Sequence, residues 1–222
     1  VDLKPARALL APAVAALLGG ACASETPVEY GSDPILLPAT LGDALPLAED
    51  LARDLAERPY VTRLGGGLAV MDSEGRAWNH SFVFHAREGP SILRKITVHL
   101  VHGIPWVDVV TVSDAPPPFP PALLGLDSDG VVARAIQLAP QYGLDLPAAY
   151  AARLSVVPAW PEPETVDDQA EEVAWRVDFL KLTPIEGTSV WFSTARFYFD
   201  PVTAEPFDDP VIPEAAELYP FP

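Results

Sequence analysis

Hydrophobic residues recur along this chain with two periods, and the change from one to the other marks its elements. Over residues 42–59, GDALPLAEDLARDLAERP, Leu47, Leu51 and Leu55 fall four apart with Ala48, Ala52 and Ala56 beside them. Glu49, Asp50, Arg53, Asp54 and Glu57 take the other side. That spacing predicts an amphipathic helix, with Asp43 as its N-cap and Pro59 as its stop. The period then drops to two. A short strand is expected around Leu68–Met71, a turn at DSEG (72–75), and a strand from Ala77 to His85 in which Trp78, His80, Phe82 and Phe84 share one face. LRKITVHLVHG adds a third strand, with Ile96, Val98 and Leu100 on one side and Lys95, Thr97 and His99 on the other.

Five prolines within Pro116–Pro121 then exclude a helix or a central strand, and make 112–125 a stiff connector. After it the pattern returns. LDSDGVVARAIQLAPQYG (126–143) has Ser128 or Asp129 as a cap, Val132, Ala135, Ile136 and Ala139 at helical spacing, and Gly143 as the stop. AARLSVVP reads as a strand, VAWRVDFLKL as a second with Trp175, Val177 and Phe179 on one face, and SVWFSTARFYFDP as a third. In the last, Trp191, Ser193, Ala195, Phe197 and Phe199 alternate with Phe192, Thr194, Arg196 and Tyr198. The apolar runs at Leu68 and Leu154 are 86 residues apart and the Ala-Trp pairs at Ala77 and Ala174 are 97 apart, so an acidic loop in the second half absorbs the difference. Two copies are too few for a solenoid. The expected fold is α+β: two tandem units, each one helix on a three-stranded antiparallel sheet, with sheets that pack together or join as one. Their bounds are 42–111 and 126–207, followed by a Pro-rich acidic tail, 208–222.

The N-terminal residues follow a different plan. Lys4 and Arg7 precede an uncharged apolar run from Ala8 to Leu18, and small residues cluster at Gly19, Gly20, Ala21 and Ala23. This is the layout of a bacterial export signal, too short to span a hydrocarbon core of ~20 residues. The only cysteine, Cys22, ends it. Two cleavage schemes are compatible. Cleavage before Cys22, as in bacterial lipoproteins, leaves that residue lipid-attached; the usual Leu three residues ahead is here Gly19, with Leu18 one further back. Cleavage after Ala23 releases a soluble chain. Residues 1–22 are thus an export signal and 23–41 a polar, Pro-rich tether of the kind that holds a domain off a membrane.

Composition narrows the partners. The net charge of −17 argues against nucleic acid and against charge-driven binding to anionic lipid headgroups. With Cys22 removed or lipidated, the folded part has no disulfide and no thiolate metal site. No Gly-x-Ser-x-Gly elbow and no His-Glu-x-x-His pattern occurs. The histidines pair as His80 with His85 and His99 with His102, at odd separations that point the members of each pair to opposite strand faces. His85 and His99 could still meet across two strands and are the candidate metal ligands, although no metal or other cofactor is expected. EPETVDDQAEE (162–172) lacks the alternation of a calcium loop and reads as a solvated acidic loop. The glycines Gly65–Gly67 read as a helix C-cap and turn. Trp78, Trp175 and Trp191 fall on apolar strand faces, whereas Trp106 and Trp160 stand beside prolines in expected loops and are the candidate binding surface.

Residues 126–207 resemble the PepSY domain of exported bacterial proteins, a helix followed by a three-stranded antiparallel sheet, cystatin-like in outline. The resemblance rests on the DSDGVVARAIQLA helix, the VAWRVDF strand with Trp175, and the closing RFYFDPVTAEPF, where Asp200, Thr203 and Glu205 fit an Asp-x-x-Thr-Gly-Glu ending but Ala204 replaces the glycine. That glycine would supply a positive φ. The resemblance implies restraint of peptidases or binding of peptides. The expectation is therefore a non-enzymatic cell-envelope lipoprotein, attached through Cys22, that binds an envelope protein or a peptide through the exposed edge of a sheet. The alternatives are a His-based metal-binding protein or enzyme, and a purely structural envelope component.

Overall fold

The computed structural model describes residues 28–29, 38–65, 69–102, 104–158, 171–185, 188–213 and 217–218. The export signal with Cys22, most of the tether, the acidic loop up to residue 170, Trp160, and the end of the tail lie outside them. Among the described residues two α-helices, α1 (Leu41–Leu55) and α2 (Ser128–Leu138), accompany nine strands: β1 (Val28–Glu29), β2 (Tyr60–Gly65), β3 (Asn79–Glu88), β4 (Ile92–Val101), β5 (Ile104–Val112), β6 (Ala149–Pro158), β7 (Glu171–Ile185), β8 (Thr188–Phe199) and β9 (Glu217–Leu218).

These strands form a single antiparallel sheet in the order β1-β5-β4-β3-β2-β6-β7-β8-β9, of which the seven inner strands run from 6 to 15 residues and the outer two are two-residue additions. The two tandem units expected from the sequence are therefore corrected: neither half has its own three-stranded sheet. The first half supplies four strands, the second three, and the first strand after each helix, β2 and β6, pair with each other at the centre, Arg63 opposite Ser155 and Leu64 opposite Leu154. Backbone hydrogen bonding and core both run unbroken across this junction. Val107, Val98, Phe82, Leu64, Leu154, Trp175 and Phe199 stand opposite one another in successive strand pairs and make one apolar row seven strands wide. All seven are buried. At roughly 1.5–3 kcal/mol for each large side chain withdrawn from water, such rows are the chief source of stability.

Both helices lie over this row. α1 rests on β3 and β4 and α2 on β6 and β7, and their apolar stripes join one core cluster with the strands. α1 turns Ala44, Ala48 and Ala52 inward; small residues there let the helix come close to a sheet that presents Phe82 and Phe84. Its cap is Thr40, whose Oγ1 accepts from the Asp43 amide at 3.1 Å, and the helix ends at Leu55 rather than continuing to Pro59. α2 is capped by Asp127 rather than Ser128 or Asp129. The two helix starts are tied together: Asp127 Oδ1 accepts from the Gly42 amide at 2.8 Å, and Ser128 Oγ accepts from the Leu41 amide at 3.0 Å while donating to the Gly75 carbonyl at 2.8 Å. DSEG and DSDG, 55 residues apart in sequence, thus meet in space. At Gly75, φ is +69° and an added Cβ would come within 2.5 Å of the Asp129 amide nitrogen. One carboxylate and one hydroxyl so satisfy amides that helix starts otherwise leave without partners.

Several local expectations are also corrected. The strand expected at Leu68–Met71 is absent from the described part of that stretch, where Met71 makes one isolated bridge to Tyr150. The glycine run does not cap a helix: Gly65 ends β2 at φ +75°, where a Cβ would strike the Ala152 carbonyl oxygen at 2.2 Å, so only glycine lets β2 lie this close to β6. Trp78 precedes β3 and is 46% exposed. On β8 the register shifts where it passes from Ala195 to Ser193 against Phe179 and Leu180. That bulge at Thr194 turns Ser193 and Trp191 away from the face that Ala195, Phe197 and Phe199 share. Between the halves, Phe119 of the Pro-rich segment is buried in the same core, with its amide on the Val61 carbonyl.

Candidate functional site, a basic cleft on the far face of the sheet

Alternation sends every second strand side chain to the face away from the helices, and on that far face the strands carry cations. Arg63, Lys95, Arg153, Arg176 and Arg196 hold far-face positions because their neighbours Leu64, Ile96, Leu154, Trp175 and Ala195 point into the core. The chain has 14 Lys and Arg against 31 Asp and Glu, so five cations across one face reverse its overall sign locally.

The two ends of this stripe differ. Toward β8, Asp178 is buried at 3% exposure and takes both prongs of the Arg176 guanidinium, Nε to Oδ2 at 2.6 Å and Nη2 to Oδ1 at 2.9 Å. Arg196 Nε donates to Oδ1 at 3.1 Å and Ser193 Oγ donates to it at 2.8 Å. That carboxylate is fully engaged, and the cluster is structural. Toward β4 the face opens into a cleft of ≈ 420 Å³, lined by Arg63, Lys95, Arg153 and His85, the hydroxyls of Thr62 and Ser155, and one carboxylate, Asp114. Val83, Val112 and Pro116 complete it. Arg63 faces Ser155 and Gly65 faces Arg153, so the two arginines are diagonal neighbours on β2 and β6, and Arg153 also stands opposite Arg176.

A bulge builds the cleft's inner wall. Between Val61 and Arg63 the register of β2 against β3 shifts, leaving Thr62 as the extra residue. Its hydroxyl lies 3.3 Å from the Val83 carbonyl oxygen and 3.0 Å from His85 Nδ1. Burial, seconded by the Lys95 ammonium, pushes the His85 pKa below its ordinary value, so a neutral imidazole joins the cations here.

The histidines do not assemble. His85 stands opposite Lys95 and His99 opposite Ser81, so the candidate ligands are four residues apart in register, about 14 Å along the strands. His99 packs instead against Trp106, ring centres 5.9 Å apart, with Asp108 Oδ2 3.9 Å from its Nε2; burial lowers its pKa, and Asp108 opposes the shift. His102 sits in the turn after β4, 5.9 Å from Trp78. His80 faces the core, buried, with neither ring nitrogen in good hydrogen-bond geometry. Its pKa falls to about 4 through burial, against the pull of the Ala77 carbonyl and the Asp127 and Asp43 carboxylates. Among the described residues no three His, Cys, Asp or Glu side chains group closely enough to hold a metal ion.

Trp106 lies not in a loop but in β5, on the far face and 47% exposed. The sheet edges are partly taken: β1 pairs with β5 at Trp106 and Val107, and β9 pairs with β8 at Phe192 and Ser193. Val211 and Pro206 bridge to β8 further along. A second hollow of ≈ 750 Å³ beside the β8 bulge, formed with Leu144, Leu146, Leu182 and Trp191, is more apolar and has Lys181 and Asp145 as its charged groups. No helix among the described residues is long and apolar enough to cross a membrane.

Sequence reasoning missed Arg63, Arg153, Thr62, Ser155 and Asp114 as site residues. The signal was present: each of RLG, RKI, ARLS, WRVD and ARFY sets a basic residue next to a core residue in an otherwise acidic chain. No family model, curated protein or solved structure matches this chain.

Proposed function

We propose that this protein is an exported, non-enzymatic binding protein, held at a membrane through a lipid on Cys22, that takes a peptide or an extended segment of a partner protein on the far face of its sheet. The observation that carries the reading is the far-face cleft: charged and hydroxyl side chains from β2, β4 and β6, with the His85 imidazole of β3, line one concavity. Ligand sites are of this kind, concave and furnished with a few convergent polar groups. Trp106 and His99 extend the same face toward β5 with a partly exposed aromatic surface. The resemblance of residues 126–207 to PepSY modules agrees with peptide binding and with an effect on a peptidase, and adds no residue to the site.

Photoreactive residues placed at Thr97 and Trp106 on the far face, and at Asp54 on the exposed side of α1, test the proposal in the membrane fraction of a bacterial host. Adducts from the first two positions and none from the third are expected. Equal yields from all three, or none from any, would count against a binding face. Intact mass of the same preparation tests the anchor: the chain is expected to begin at Cys22 and carry acyl chains, and an unmodified chain beginning at Ser24 would remove the membrane from the proposal.

A further inference from the structure

We infer that the far-face cleft selects acidic peptide segments, recognising carboxylates two or more residues apart with Arg63, Arg153 and Lys95. This rests on the peptide-binding reading above and supplies its chemistry. Three of the chain's 14 cations line one cleft in which, among the described residues, Asp114 is the only carboxylate. Two of them are arginines, whose planar forks match carboxylates with two parallel hydrogen bonds. Arg63 and Arg153 each have an interaction of their own within the protein, which an incoming carboxylate joins or exchanges. Ser155, buried in the cleft wall with no hydrogen-bond partner for its hydroxyl among the described residues, can donate to the same oxygens.

Geometry favours a chain of carboxylates over a single small anion. Lys95 on β4 and Arg153 on β6 are separated by β3 and β2 and by four register positions, about 14 Å across the strands and about 13 Å along them, or about 20 Å in all. No single phosphate bridges that distance, whereas about six residues of an extended peptide cover it at about 3.3 Å each. The apolar patches of Val83, Val112 and Pro116 between the charges suit the methylenes of glutamate.

The test uses the full chain and two labelled probes, pentaglutamate and pentaglutamine. Pentaglutamate is expected to bind at least about tenfold more tightly, the worth of one or two charge-assisted hydrogen bonds. Lys95→Gln and Arg153→Gln should each weaken it about tenfold without weakening pentaglutamine. Because those residues are partly buried, Asp114→Asn provides an exposed control with the opposite sign: removing that carboxylate should tighten pentaglutamate binding. Equal affinity for the two peptides would overturn the inference and leave the peptide-binding reading standing. Displacement of pentaglutamate by a modest excess of inorganic phosphate would replace it with a small-anion site. Binding of neither peptide would overturn it, and the crosslinking result at Thr97 and Trp106 then decides whether the wider reading falls too.

Discussion

The two faces of this sheet are built from alternate residues of the same strands, yet they answer to different physics. On the helix side, the row from Val107 to Phe199 is apolar throughout and closed by α1 and α2. On the far side, the residues immediately next to that row include Arg63, Arg153 and Arg176. Burial of hydrocarbon is non-directional, so the first face needs only volume and pattern. Charges brought together on the second are tolerable only with placed partners, and the sheet places some of them itself, as Asp178 between Arg176 and Arg196 shows. Stability therefore lives mainly on one face and the capacity for recognition on the other.

The largest expected effect comes from breaking the first face at its middle. Trp175 is fully buried and stands between Leu154 and Phe199 in the apolar row. Trp175→Ala should cost about 3–5 kcal/mol, because the cavity it leaves lies under α2 and cannot collapse without moving the sheet. Thr97→Ala, on the far face opposite Val83 and Asp108, should stay within about 0.5 kcal/mol of the parent. Denaturant unfolding of the two variants makes the comparison, and similar losses from both would mean that the far face contributes as much to stability as the core.

A buried imidazole on the core face gives the next effect in size. His80 is buried beside Phe82, ring centres 6.3 Å apart, and its folded-state pKa is about 4 against 6.5 for an unconstrained imidazole. Between those values the unfolded chain binds the proton and the folded chain does not. Stability is therefore intact above pH 6.5 and falls as the pH drops toward 4, by about 3 kcal/mol when the shift is complete. His85 and His99, also lowered, add to the loss with the same sign. His80→Leu should flatten most of the dependence and hold or raise stability at pH 7, since it removes a buried polar ring. Parallel pH curves for parent and variant, measured by denaturant midpoint from pH 7.5 to 4.5, would locate the acid sensitivity elsewhere.

The same contrast explains what could be read from the sequence. Strands β4, β6, β7 and β8 were legible because Ile96 to Leu100, Ala152 to Leu154, Trp175 to Phe179 and Ala195 to Phe199 alternate cleanly against polar neighbours, and β3 because Phe82, Val83 and Phe84 form a β-prone apolar run. Two of the seven inner strands were not. β5 carries Pro105, which reads as a break, and the sheet tolerates it because β5 is the outermost long strand. β2, YVTRLG, is only six residues long and contains a bulge that spoils its alternation at Thr62. Yet β2 joins the two halves, so missing it turned one sheet into two units. The site was illegible for a related reason: its charges lie on separate strands, and only the pairing of β2 with β6 brings Arg63 beside Arg153. Sequence patterns report faces well and register poorly, because a one-residue slip is invisible until neighbouring strands are paired.

The smallest effect lies on neither face, in the turn that leaves β8. Asp200 Oδ1 accepts from the amides of Val202 at 2.9 Å and Thr203 at 2.7 Å and from the Thr203 hydroxyl at 3.0 Å, and these bonds hold its pKa below the usual carboxylate value. The Asp200 carbonyl accepts from Ala204 at 3.1 Å and its amide donates to Glu205. This network closes the turn so tightly that Ala204 is driven to φ 57°, the left-handed region in which a Cβ costs about 1–2 kcal/mol. Glycine would relieve that strain but add freedom to the unfolded chain worth about 0.4–1 kcal/mol. The difference favours Ala204→Gly by roughly 0.5–1 kcal/mol, a rise in Tm of about 1–4 °C for a chain of this size. A lowered Tm would mean that the turn opens when alanine no longer restricts it, and that the Asp200 hydrogen bonds alone do not set its shape.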